Sequence, residues 1–135
     1  MGTGGGMAGE RKRILVVEDD ELLAKSLKRI LELEGFEVDA QPSGTLALAH
    51  AAECPPDLVV LDLKLPDMHG YEVCRELRKL FHSWVVPIVM FTGMDRPLDQ
   101  LRGFAYGADA YLTKPCPTEE LLRTIRLLLG QLSVA

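Results

Sequence analysis

The feature that most constrains this chain is a fivefold repetition: a short aliphatic run, a polar turn, then a segment of helical periodicity. The runs are residues 14–17, 36–40, 58–61, 85–91 and 110–113. The first and third are continuous Ile/Leu/Val, the pattern of strands covered on both faces. Residues 20–34 place Leu22, Leu23, Leu27, Ile30 and Leu31 along one stripe, with Ser26 beside Leu27, and Gly35 follows as a C-cap. Pro42-Ser43-Gly44 opens a second helix that runs to about Glu53, before Pro55-Pro56 breaks it. Past a polar loop around Pro66 and Gly70, a third helix turns Val73, Cys74, Leu77, Leu80 and Phe81 inward. A fourth, residues 97–106, stops at Gly107, and Pro117-Thr118-Glu119-Glu120 opens a fifth with acids at its positive end. Strands that alternate with helices pair in parallel, because each return across the sheet needs a crossover. Right-handed crossovers leave few topologies. The prediction is one α/β domain over residues 12–132, a doubly wound five-stranded parallel sheet with five helices. Residues 1–11 are predicted to be a disordered Gly-rich extension.

At 135 residues, 47% hydrophobic and 26% charged, the chain can bury a core. A formal net charge of -5 offers no basic field for a nucleic-acid backbone, so no direct nucleic-acid binding is expected. Cys54, Cys74 and Cys116 are odd in number and scattered, which suits reduced thiols in the cytoplasm better than a disulfide frame or a zinc site. The longest apolar run, residues 84–91, contains Pro87 and is too short to cross a membrane. The start lacks the regions of a signal peptide, and Gly6 stands where a myristoylation motif needs a hydroxyl. Trp84, just before the fourth strand, is expected to cover the core at the end of the sheet where that strand begins.

Polar residues fall at strand ends. Glu18 and Asp19 follow the first strand and Asp62 the third; Thr92 follows the fourth, and Lys114 ends the fifth. Open α/β sheets bind ligands outside the carboxyl ends of their strands, where the winding reverses. If the first and third strands are neighbours, three carboxylates converge there, a repulsive arrangement unless a cation joins it. Oxygen-only ligands with room for water suit Mg²⁺. A carboxylate held against a divalent cation can attack phosphorus and form an aspartyl-phosphate. Lysine supplies a compact cation for phosphate oxygens and threonine a hydrogen bond, roles that Asp62, Lys114 and Thr92 fit in kind. Asp20, next to the acidic pair, is assigned to capping the first helix.

The segments ILVVEDDE, DLVVLDLKLPDMHGYEV, PIVMFTG and GADAYLTKP, in this order, resemble the motifs of the receiver domain of two-component response regulators. The resemblance covers residues 13–132. It implies a flavodoxin-like strand order of 2-1-3-4-5 and phosphorylation of Asp62 by a sensor histidine kinase or a histidine phosphotransfer protein. It also implies a Mg²⁺ site of Glu18, Asp19, Asp62 and Lys64, with Asp19 a direct ligand, Glu18 acting through water, and Lys64 giving its backbone carbonyl. Thr92 and Tyr111 are similar to the family's switch pair and Lys114 to its phosphate-binding lysine, with a cis bond at Lys114-Pro115. On phosphorylation Tyr111 is expected to move inward from an outward rotamer. The output is then read by a downstream domain or protein on the face of the fourth helix, fifth strand and fifth helix, or by a phosphorylation-dependent homodimer. Such a chain is a regulatory phosphoacceptor rather than an enzyme on other molecules. Lys64 and Met94, two positions beyond Asp62 and Thr92, occupy the places that tune self-dephosphorylation, and neither can orient a water as a base, so slow decay is expected. His69, where the family often has an acid or amide, reads as a surface residue, and Cys116 as a small buried hydrophobe.

Three rival classes fit these residues less well. A haloacid-dehalogenase-like phosphatase needs an acid two residues past its nucleophile, where this chain has Lys64. A flavodoxin-like cofactor carrier needs a phosphate loop after the first strand, where EDDE repels phosphate. A phosphorylation-independent pseudo-receiver would lack part of the set Asp19, Asp62, Thr92 and Lys114, which is intact here.

Overall fold

The computed structural model describes residues 11–81 and 86–132. In chain order the elements are β1 (Arg13–Val17), α1 (Glu21–Leu33), β2 (Glu37–Gln41), α2 (Gly44–Glu53) and β3 (Leu58–Leu61). Then come α3 (Gly70–Phe81), β4 (Ile88–Thr92), α4 (Pro97–Tyr106), β5 (Ala110–Thr113) and α5 (Thr118–Leu128). The strands form one parallel sheet in the order β2-β1-β3-β4-β5. Winding therefore runs outward from β1 to β2, then reverses across β3, β4 and β5.

The aliphatic runs serve two cores at once, because alternate side chains of a strand point to opposite faces. Leu15, Val17, Val59, Leu61, Ile88 and Met90 pack under α2 and α3. Ile14, Val16, Leu58, Val60, Val89 and Phe91 pack under α1 and α5 with Leu27, Leu31, Leu121 and Ile125. Each such side chain contributes about 1.5–3 kcal/mol by leaving water, so β1, β3 and β4 anchor the fold. The edge strand β5 is only half-buried throughout.

Helix boundaries follow the predicted signals. Asp20 caps α1, its Oδ1 accepting the Leu23 N–H at 3.2 Å. Ser43 does the same for α2 with Leu46. Gly107 ends α4 at φ 114, a left-handed conformation that a Cβ disfavours.

The structure differs from the sequence reading at several points. Phe36 lies outside β2 and is buried against α1 and α5. β4 begins at Ile88, three residues late, because Pro87 has no N–H for the ladder and gives only its carbonyl, which accepts from Val59. Thr92 is thus the last residue of β4 rather than the one after it. Leu22 faces solvent at 78% exposure; it lies five positions from Leu27, about 140° around the helix. Leu80 is also exposed, in a surface hollow shared with Leu48 and Ala52 of α2. The expectations for Trp84 and for all but Arg11 of the Gly-rich start lie outside the described residues.

Candidate functional site

Register brings the acids together. Val17 pairs with Leu61, and the Asp62 N–H donates to the Val17 carbonyl at 3.0 Å. The residues after β1 and β3 therefore emerge side by side, at the point where the winding reverses. One carboxylate oxygen from each of Glu18, Asp19 and Asp62 lies within 4.8 Å of the others. Glu18 and Asp62 are 4% and 7% exposed, whereas Asp19 faces solvent. A hollow of about 400 Å³ opens beside them, lined in part by Glu18, Asp19, Lys25, Lys28 and Gln41.

The cation comes from the far side of the sheet. The Lys114 N–H donates to the Thr92 carbonyl, which holds the residue after β5 against the end of β4. Its ammonium then reaches across to Glu18 Oε1 at 2.6 Å and Asp62 Oδ2 at 3.2 Å, and lies 5.5 Å from the centre of the Phe91 ring. Burial pushes the Glu18 carboxyl upward, with the Asp62 charge adding to it and the Lys114 and Asp20 hydrogen bonds opposing it. For Lys114, burial works against the charged form, but the bond to Glu18 and the charge of Asp62 outweigh it, and its pKa is raised. The lysine is therefore an ammonium at any ordinary pH, facing a site of net negative charge.

The donor set fits Mg²⁺ by chemistry and by vacancy of lone pairs. Glu18 is engaged at both oxygens, Oε1 by Lys114 and Oε2 by the Asp20 N–H. Asp62 Oδ1 accepts from the Leu63 and Lys64 N–H groups, leaving Oδ2 shared only with Lys114. Asp19 has no hydrogen-bond or ion-pair partner among the described residues. Asp19 thus has the freest oxygens to offer a cation, and Glu18 the least free. All the donors are oxygens with space beside them, the preference of Mg²⁺ rather than zinc. Lys64 opens a closed hairpin: it bridges to His69, and the Gly70 N–H donates to the Leu63 carbonyl.

Thr92 is fully buried, and its Oγ1 accepts the Met94 N–H at 3.3 Å. The Tyr111 hydroxyl donates to the Met94 carbonyl at 2.6 Å. The outward rotamer expected for Tyr111 is therefore not the one present: the ring packs against the core under α2 and α3. Space for it comes from Gly103 of α4, where a Cβ would lie 2.8 Å from Tyr111 Cδ2. Lys114-Pro115 is cis. Cys116 is half-buried against the α1 and α5 side. His69 is less isolated than a plain surface histidine, stacking on Tyr71 with ring centres 4.5 Å apart. Sequence reading missed Asp67, whose carboxylate binds the start of α2, a contact between residues 23 apart that no local pattern marks.

Comparison with known proteins agrees with this geometry. The family model for the response regulator receiver domain matches residues 14–126. The DNA-binding response regulator MtrA of Mycobacterium tuberculosis is 46% identical over 116 residues, which cover 86% of this chain and 50% of that protein. The DNA-binding dual master transcriptional regulator RpaA of Synechocystis is 38% identical over 117 residues, 87% of this chain and 48% of that protein. The chain thus spans about half the length of the curated relatives it matches. The crystal structure of a CheY-like receiver domain protein from Methanospirillum hungatei superposes with a TM-score of 0.85 at 35% identity, covering 90% of this chain and 96% of that one. Proteins of this family are regulatory and bind Mg²⁺ in an acidic pocket, and their receiver domains work with histidine kinases and output domains. With its fold, its acids and its lysine all accounted for, the chain belongs to the response regulator receiver domain family.

Proposed function

We propose that Asp62 accepts a phosphoryl group from a sensor histidine kinase or a histidine phosphotransfer protein, as one step of a cytoplasmic phosphorelay. The observation that carries this reading is the placement of Asp62: nearly buried at the reversal of the sheet, within 4.8 Å of two further acids and 3.2 Å from Lys114. A carboxylate oxygen of Asp62 bonds to phosphorus as the bond from phosphorus to the donor's imidazole nitrogen breaks. The electron pair returns to that nitrogen, which takes up a proton, leaving an acyl phosphate. Mg²⁺, held by Asp19, Asp62, the Lys64 carbonyl and, through water, Glu18, would supply charge neutralisation for the transferred group. Lys114, already an ammonium beside Asp62, supplies a second positive contact, and the Thr92 hydroxyl can leave the Met94 N–H to donate to phosphate.

Thr92 holds the N–H and Tyr111 the carbonyl of Met94, in the two peptide groups that flank its Cα, so drawing Thr92 away loosens the segment that leads into α4. That supports readout on the face of α4, β5 and α5, by an output domain, a partner protein or a second phosphorylated copy. Leu98, Leu101 and Phe104 stand exposed there on α4. The domain acts as a switch, with slow self-dephosphorylation as its own reaction, and its net charge of -5 favours protein rather than nucleic-acid contacts. Incubation with acetyl phosphate and Mg²⁺, followed by intact mass measurement, tests the acceptor. The unaltered chain should gain one phosphoryl group and Asp62→Asn none; uptake by the variant would overturn the assignment.

A further inference from the structure

The loop between Asp62 and Gly70 is held at both ends more firmly than an exposed loop requires. At its tip, Asp67 Oδ1 accepts the Gly44 N–H at 2.9 Å and Oδ2 the Thr45 N–H at 2.8 Å. The Thr45 side chain beside the carboxylate, together with these two bonds, holds its pKa down to about 2. Met68 lies directly on Gly44, where a Cβ would meet its Cγ at 2.4 Å. At its base, a Cβ on Gly70 would lie 2.5 Å from the Asp62 carbonyl oxygen and 2.6 Å from Leu63 Cα. Lys64 lies inside this frame, bridged to His69.

Capping α2 does not by itself account for Asp67. That helix has its own cap in Ser43, which takes the Leu46 N–H. Asp67 takes the two N–H groups before that one, those of Gly44 and Thr45, from 23 and 22 residues away, and so ties the hairpin to a helix packed on the core. We infer that Asp67 is a positioning residue for the metal: its clasp on the start of α2 holds the hairpin so that the Lys64 carbonyl faces the acids. This rests on the Mg²⁺ site proposed above. Groups that orient a metal ligand typically change affinity when lost, without touching the ion themselves.

The test compares Mg²⁺ titrations, by calorimetry or amide chemical shifts, with thermal unfolding of the same proteins. Asp67→Ala should weaken Mg²⁺ binding by about tenfold, the low end for lost outer contacts of a metal ligand. Asp67→Asn keeps one acceptor oxygen; it should recover part of that affinity and serves if the alanine variant folds poorly. Ser43→Ala strips the helix's own cap, so it should lower the Tm while leaving Mg²⁺ affinity unchanged. In phosphorylation by acetyl phosphate, Asp67→Ala should need more Mg²⁺ but reach the unaltered maximal rate once saturated. Unchanged Mg²⁺ affinity in both Asp67 variants, or an equal loss in Ser43→Ala, would overturn the positioning role. Failure of the unaltered chain to bind Mg²⁺ would sink the reading of the site, and this inference with it.

Discussion

Asp19→Asn should make the metal-free protein more stable and remove its response to Mg²⁺. The carboxylate oxygens of Glu18, Asp19 and Asp62 lie within 4.8 Å of one another. Two unit charges at that separation repel by about 0.9 kcal/mol at the dielectric of water and about 3.5 kcal/mol at an effective value near 20. Asp19 is exposed, so screening places each of its two repulsions near the lower figure, and attraction to Lys114 offsets part of their sum. A net gain of about 1 kcal/mol remains, or roughly 4 °C in Tm for a domain of this size. Asparagine forfeits nothing else, since Asp19 has no hydrogen-bond partner among the described residues. Mg²⁺ at about 100 times its Kd should stabilise the unaltered chain by about 2.7 kcal/mol, and the variant by little. The two melting curves should therefore cross: variant above in chelator, unaltered chain above in saturating Mg²⁺. A variant no more stable in chelator would show that repulsion at Asp19 is not a net cost. A full Mg²⁺ response in the variant would show that Asp19 is not a ligand.

Three further outcomes are expected. Met94→Glu combined with Lys64→Asn should shorten the life of phosphorylated Asp62, because the pair introduces an acceptor able to orient water where Met94 has none; decay followed by intact mass, no faster than the parent's, would contradict this. Ile125→Ala, which empties a fully buried position under α5, should cost about 3 kcal/mol in urea unfolding; a loss below about 1 kcal/mol, roughly the worth of one buried methylene, would mean that α5 is not packed as described. The Asp67 carboxyl titrates near 2 when folded and at about 3.9 when unfolded. A lowered folded pKa stabilises above the unfolded value, so the stability gap between the unaltered chain and Asp67→Ala should be constant at neutral pH and close as pH falls from about 4 to about 2; a gap independent of pH would show that the charge is not involved.

Local patterns made much of this molecule legible. The aliphatic runs at 14–17 and 58–61 read as buried strands because both faces of a parallel strand are covered, and both are strands. Asp20, Ser43 and Gly107 signalled helix ends through backbone groups within a turn of them. The acids, Thr92 and Lys114 stood out because polar residues ended apolar runs. Local reading failed in two ways: it overlooked that Pro87 withholds an N–H and so delays β4, and it could not see where the core lies, so that Leu22 fell off the buried side of α1.

Sequence alone determined the five strand and helix units and the residue types at the strand ends, because periodicity, capping and chain breaking act over a few residues. Resemblance added the strand order. Only the tertiary structure decided that Lys114 meets Glu18 and Asp62, 96 and 52 residues away, and that Glu18 has both oxygens engaged while Asp19 is free. It also decided that Tyr111 lies inward, because a glycine on α4 leaves room for the ring, and that Asp67 clasps α2. These facts depend on register and on which surfaces meet when helices close over the sheet. No segment of the chain carries that information by itself, since each contact is set by the packing of everything between its two partners.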